Sequence, residues 1–146
     1  MAFHLLRLFL FIASILIVSV GISFYFLGPN ATASLTLESM QIFLPNPEII
    51  TDMTTPNVDS ELRFFAPFLV AYGVLLFLCA KHLRTHLYYV PHMLLVFLIG
   101  GLGRVLSYIT VGEPHPLFVY LMGIEVGLPI LFYFLYTRVV AKITQD

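Results

Sequence analysis

The run VPHMLLVFLIGGLGRVLSYITV, Val90–Val111, decides what kind of object this chain is. At the helical rise of about 1.5 Å per residue it is long enough to cross a hydrocarbon core of about 30 Å, and Arg104 is its one Arg, Lys, Asp or Glu. The next run, Leu117–Ala141, repeats the pattern with Glu125 as its one carboxylate. An ionisable group in hydrocarbon costs several kcal/mol, so it turns to the bundle interior, takes a partner and is a functional-site hypothesis by default.

Two more apolar runs complete the set. Leu8–Leu27 carries no charge, and a shorter run ending at Ala80 gains length from its flanks. Spans at about 8–27, 62–80, 90–111 and 117–141 therefore predict a single integral membrane domain over residues 1–146. Composition agrees: 60% of residues are hydrophobic and 10% charged, against about 45–50% and about 25% in soluble domains. The runs lack the alternation of barrel strands, so each must satisfy its own backbone as a helix. The fold class is all-α, a four-helix transmembrane bundle of up-down topology, because the connections after spans two and three are short. Pro91 suits a first helical turn, whereas Pro67 and Pro129 lie within spans and predict kinks. Arg7, the first apolar run, Ala31 and Ala33 imitate a secretory signal, but the run exceeds the usual 7–15 or so residues and is expected to stay as an anchor.

Basic residues collect at His4 to Arg7, Lys81 to His86 and Arg138 to Lys142, while residues 28–60 contain acidic groups and no Lys or Arg. The positive-inside rule then puts both termini in the cytoplasm and makes 28–60 an outer loop. Tyr25, Tyr88, Tyr89, Tyr108 and Tyr136 fall near span ends, as interfacial aromatics do. In the outer loop Leu37, Met40, Phe43 and Leu44 recur at helical spacing, which fits a short interfacial helix as well as it fits an irregular loop, and Pro45, Asn46 and Pro47 end it. Asn30-Ala31-Thr32 forms a glycosylation sequon. Asp59 or Ser60 is expected to N-cap the second span.

Counting residues sets the depth of the two charges. Arg104 lies fourteen residues beyond Val90, about 21 Å in from the basic side, and Glu125 lies eight beyond Leu117, about 12 Å in from the other. The heights match within a side-chain length, so a bidentate ion pair is expected. Ser107, one turn from Arg104, offers a hydroxyl, and Glu61 and Arg63 open span two toward the same leaflet. These five, Glu61, Arg63, Arg104, Ser107 and Glu125, are the candidate ligand-binding residues. Gly100 and Gly103, with Gly101 between them, thin span three around Arg104, and Gly123 and Gly127 bracket Glu125 in span four; these glycines are expected to permit close helix packing or leave room for a ligand. A packing clamp without chemistry, or an arginine snorkelling to lipid headgroups or Glu61, would use the same residues.

Cys79, His82 and His86 have i, i+3, i+7 spacing, with His4 and His92 nearby in the topology, but helix-end solvation accounts for them and no metal is assigned. A single cysteine excludes an intramolecular disulfide, and the histidines lack the paired axial placement a haem needs. No cofactor is expected. No nucleophile elbow, Walker loop or dinucleotide fingerprint occurs, four spans without a polar stripe argue against an autonomous transporter, and a net charge of −1 argues against nucleic acid.

Asp59-Ser60-Glu61-x-Arg63-Phe64, Gly101-x-Gly103-Arg104-x-x-Ser107 and Gly123-x-Glu125 together resemble an uncharacterised family of small bacterial four-helix inner-membrane proteins and, more loosely, DoxX-like bundles. The resemblance implies the architecture and a multi-pass place in the plasma (inner) membrane; it brings no activity with it. Two functions fit. One is an accessory or interaction subunit, its partners the lipid bilayer and another membrane protein or itself, with a buried Arg/Glu site toward the outer leaflet. The other is a membrane enzyme or binding protein for a small lipid-like molecule, Arg104 holding an anionic or carbonyl group and Glu125 acting as acid or base.

Overall fold

A computed structural model describes residues 1–41, 43, 50 and 52–143. Among these residues six α-helices follow in order: α1 (Ala2–Leu27), α2 (Pro29–Ser39), α3 (Pro56–Lys81), α4 (Leu83–His86), α5 (Val90–Val111) and α6 (Pro116–Ile143). Among the described residues there is no strand, and four helical stretches, Ala2–Leu27, Pro56–Lys81, Leu83–Val111 and Pro116–Ile143, are long and apolar enough to cross a membrane. The protein is an all-α, four-helix membrane bundle. Many of its large apolar side chains are exposed, Ile15, Phe68, Ile109 and Phe134 among them, which suits a chain whose solvent is lipid.

Span ends depart from sequence expectation where prolines act as starters. The third helix begins at Pro56, before Asp59 and Ser60, so neither caps it; Asp59 sits in the first turn, with its amide bonded to the Thr55 carbonyl. Proline has its φ fixed near the helical value and no amide to satisfy, which favours the first turn. Pro29, Pro91 and Pro116 open α2, α5 and α6 in the same way. Pro67 and Pro129 lie inside α3 and α6. α1 ends because Gly28 adopts φ 85°, and α5 ends at Gly112, φ 122°, conformations that side chains rarely tolerate.

The long connection between the first two spans is more ordered than its composition suggests. Its helix is α2, which starts at Pro29 and stops at Ser39; of the four residues whose spacing predicted it, only Leu37 lies inside, Met40 caps the end and Phe43 is beyond. Leu44, Pro45, Asn46 and Pro47 lie outside the described residues. The helix is held from within rather than by amphipathicity: Thr32 donates to the Gly28 carbonyl at 2.8 Å and its hydroxyl pairs with Ser23 of α1 at 2.9 Å. Thr32 is buried, so the sequon is built into a helix.

Two compact units divide the chain. One comprises Ile12–Phe77 and His115–Leu117, the other Met1–Phe11, Leu78–Pro114 and the chain from Phe118 on. In the first, α1 and α3 run antiparallel and approach at two reciprocal points. A Cβ on Gly21 would stand 2.7 Å from Val70 Cγ2 and 3.2 Å from the Ala66 carbonyl oxygen; one on Gly73 would stand 2.6 Å from Val18 Cγ2 and 3.2 Å from the Ser14 carbonyl oxygen. Small residues on both sides bring the backbones together where lipid provides no hydrophobic drive for association. In the other unit Phe9 of α1 stacks on Phe132 of α6, and α5 meets α6 at Gly101.

Candidate functional site

Arg104 and Glu125 form the expected bidentate pair. Arg104 Nε donates to Glu125 Oε2 at 2.6 Å and Nη2 to Oε1 at 3.1 Å, and the guanidinium carbon lies 5.7 Å from the Phe118 ring centroid. Both charges belong to the same compact unit. The local cause is Gly101: a Cβ there would be 2.9 Å from the Glu125 carbonyl carbon, so only glycine lets α5 come this near to α6. With the backbones touching, a side chain three residues further along α5 reaches the carboxylate with two donors.

The pair is not buried, contrary to expectation. The Arg104 side chain is 38% exposed and that of Glu125 17%, so one edge of the pair is open. Single charges in apolar runs imply a partner, and the partner exists, but the two helices alone do not enclose it. Ser107 is exposed on α5, and the pair's own bonds are made without it.

The glycines named for helix packing divide differently from their spacing. A Cβ on Gly100, Gly103, Gly123 or Gly127 would meet nothing within 4 Å, so none makes a close helix contact among the described residues; Gly101, Gly21 and Gly73 do. The reason for span four is geometric. Residues two apart on a helix are separated by about 200°, so Gly123 and Gly127 bracket Glu125 in sequence and lie on the opposite side of α6. Gly100 and Ser107, one turn either side of Arg104, share its side of α5.

Glu61 and Arg63 fall in the other unit. Glu61 is exposed. Arg63 clamps a helix end: Nε and Nη2 donate to Asp59 at 2.7 and 3.2 Å, and Nη1 donates to the Tyr25 carbonyl at 2.6 Å, in the last turn of α1. A guanidinium satisfying a terminal carbonyl is a C-cap, and it sits beside Gly28, where a Cβ would come within 2.6 Å of Nη2.

At the basic end the helix breaks at His82, φ −114° and ψ 39°, so Cys79, His82 and His86 do not share one helical face. Cys79 Sγ instead donates to the His86 carbonyl at 3.4 Å, and His86 Nδ1 lies 2.9 Å from Thr85 Oγ1. Among the described residues no three His, Cys, Asp or Glu side chains converge as metal ligands. One cap escaped sequence reasoning: His115 Nδ1 accepts the Leu117 amide at 3.1 Å, closing the start of α6.

Fold and composition thus define an integral membrane protein with four apolar spans and an open-edged intramembrane ion pair. The chain belongs to the family described as a domain of unknown function, DUF4345, whose model matches residues 5–136. No curated protein and no solved structure matches it.

Proposed function

We propose that the protein is an accessory or interaction subunit, a single integral domain in the bacterial plasma (inner) membrane with both termini cytoplasmic, and that it associates through the α5–α6 edge bearing Arg104 and Glu125. The half-open ion pair carries this reading. A charge facing lipid at the centre of a span costs about 2.5–3.5 kcal/mol even on the most lenient scale, and polar cover from a neighbouring polypeptide removes that cost. Gly100 and Gly103 leave open space on α5 for a partner's backbone to come close, with the Ser107 hydroxyl beside it.

A second copy of the chain meets the requirement by symmetry. Arg104 and Glu125 lie side by side on neighbouring helices. A twofold axis along the membrane normal keeps both copies in the same orientation and sets Arg104 of each against Glu125 of the other. With the basic ends cytoplasmic, Arg104 lies in the outer half of α5. Glu61 and Arg63 have no assigned role in this contact.

The same open space also favours a second reading, a lipid-like molecule held by Arg104 with Glu125 as acid or base. Subunit counting by single-molecule photobleaching in vesicles separates the two. Pairs for the wild type and single subunits for Arg104→Met support association. Single subunits throughout, with a copurifying small molecule lost from Arg104→Met, support the lipid-like ligand. Single subunits with no bound molecule contradict both.

A further inference from the structure

The basic end holds a second site. An open cavity of about 250 Å³ is lined there by Arg7, Lys81, His82, Arg84 and Thr85, with Phe3 on its apolar wall. All belong to one compact unit, and no carboxylate lines the space. We infer that this cavity binds the phosphate group of an anionic lipid headgroup.

Three features make it more than scattered juxtamembrane charge. First, the chain has to bend to form it: α3 stops at Lys81, the backbone breaks at His82 and α4 restarts at Leu83, so residues 81–85 curl around the space. A continuous helix would set Lys81, Arg84 and Thr85 along one convex face rather than around a hollow. Second, the arginines are positioned. Arg7 Nε donates to the Ala80 carbonyl at 3.1 Å with its guanidinium carbon 5.6 Å from the Phe11 ring centroid, and the Arg84 guanidinium carbon lies 5.9 Å from that of Phe3. Third, the charge is uncompensated, since no ion pair with a described carboxylate holds Arg7, Lys81 or Arg84.

Three cationic side chains and an imidazole around one small volume are the donor set for a phosphate, whose oxygens accept charge-assisted hydrogen bonds, while the Thr85 hydroxyl donates to the His82 carbonyl at 2.9 Å and braces the turn. Depth selects the lipid. The cavity joins the first turns of α1 to the end of α3, where a membrane helix meets the headgroup layer, and basic pockets between spans at that level suit anionic headgroups. Phe3 on the cavity wall and Phe11 beside Arg7, about one turn to either side of it on the same face of α1, give an acyl chain an apolar path from the cavity.

The test is native mass spectrometry of the full-length protein, delipidated and offered phosphatidylglycerol or phosphatidylcholine, with Arg84→Gln, the double variant K81Q/R84Q and, as control, Arg138→Gln on α6. Arg84→Gln leaves the Arg7–Ala80 bond intact, and its unfolding midpoint in detergent without lipid is expected to match the wild type. We expect one retained phosphatidylglycerol, affinity lower by about fivefold for each cavity charge removed, and no change for Arg138→Gln. Phosphatidylglycerol retained against millimolar inorganic phosphate identifies a lipid headgroup. Displacement, with inorganic phosphate binding on its own, keeps the phosphate site but assigns it to a soluble compound. Equal retention of phosphatidylcholine, or equal losses from Arg84→Gln and Arg138→Gln, overturns the site.

Discussion

Gly101 lies against the backbone of Glu125, with room for no side chain: its Cβ would fall 3.0 Å from that of Glu125. This contact sets the spacing at which Arg104 reaches the carboxylate. The same substitution should therefore have opposite effects at two glycines. Gly101→Ala pushes α5 off α6 and is expected to destabilise by about 1–3 kcal/mol. Gly123→Ala, which meets nothing within 4 Å, should be neutral or stabilising by up to about 1 kcal/mol from helix propensity. Unfolding in mixed micelles measures both, and equal effects would contradict the contact.

A second seam joins α1 to α3. A Cβ on Gly21 or Gly73 would stand 3.1 Å from a backbone amide nitrogen, of Val70 and Val18 respectively, and a backbone cannot yield as a flexible side chain does. Gly21→Ala and Gly73→Ala are each expected to cost about 1–3 kcal/mol. Once either has spread the seam the other should cost less, so the double variant falls short of the sum. Full additivity would show that the two contacts yield independently.

Much of this was legible in the sequence because the signal was long or solitary. Val90–Val111 is one helix between the residues its hydropathy marks, and Arg104 could be matched to Glu125 by counting residues from span ends, since Arg104 is the one charge of its run and Glu125 the one carboxylate of the next. Exposure of the pair was not legible, since a lone sequence does not say whether two helices enclose what they share. Gly21 and Gly73 left no local mark either: they are far apart in the chain, and their meaning exists only where α1 and α3 touch. The G-x-E-x-G pattern misled because proximity in sequence is opposition on a helix two residues on. Arg7, Lys81 and Arg84 registered only as an orientation signal, because the break at His82 that gathers them has no proline or glycine to announce it.

Arg63 is accounted for as a clamp on the end of α1. Arg63→Met should cost little global stability, because both partners of its ion pair are over a third exposed. The local effect should be clearer: amide hydrogen exchange in the last turn of α1 and around Gly28 speeds up, while α5 and α6 are unchanged. Exchange that rises uniformly, or not at all, would contradict a C-cap role.

Orientation has its own test. On a Cys79→Ala background, a cysteine replacing Met53 should react with a membrane-impermeant maleimide added outside, and one replacing Arg84 should react only after permeabilisation. The reverse pattern would invert the topology and move the ion pair to the inner leaflet.

The central claim, association of two copies across the Arg104–Glu125 edge, is tested most directly by mixing two charge variants. R104E carries two carboxylates at the edge and E125R two guanidinium groups, so each alone should repel its own kind. Under the twofold arrangement every carboxylate of one meets a guanidinium of the other. With the two chains labelled as donor and acceptor and reconstituted together, energy transfer should appear in the mixed vesicles and in wild type paired with itself, while each variant alone gives none. Equal transfer in all four preparations, or none in the wild type, would contradict the account.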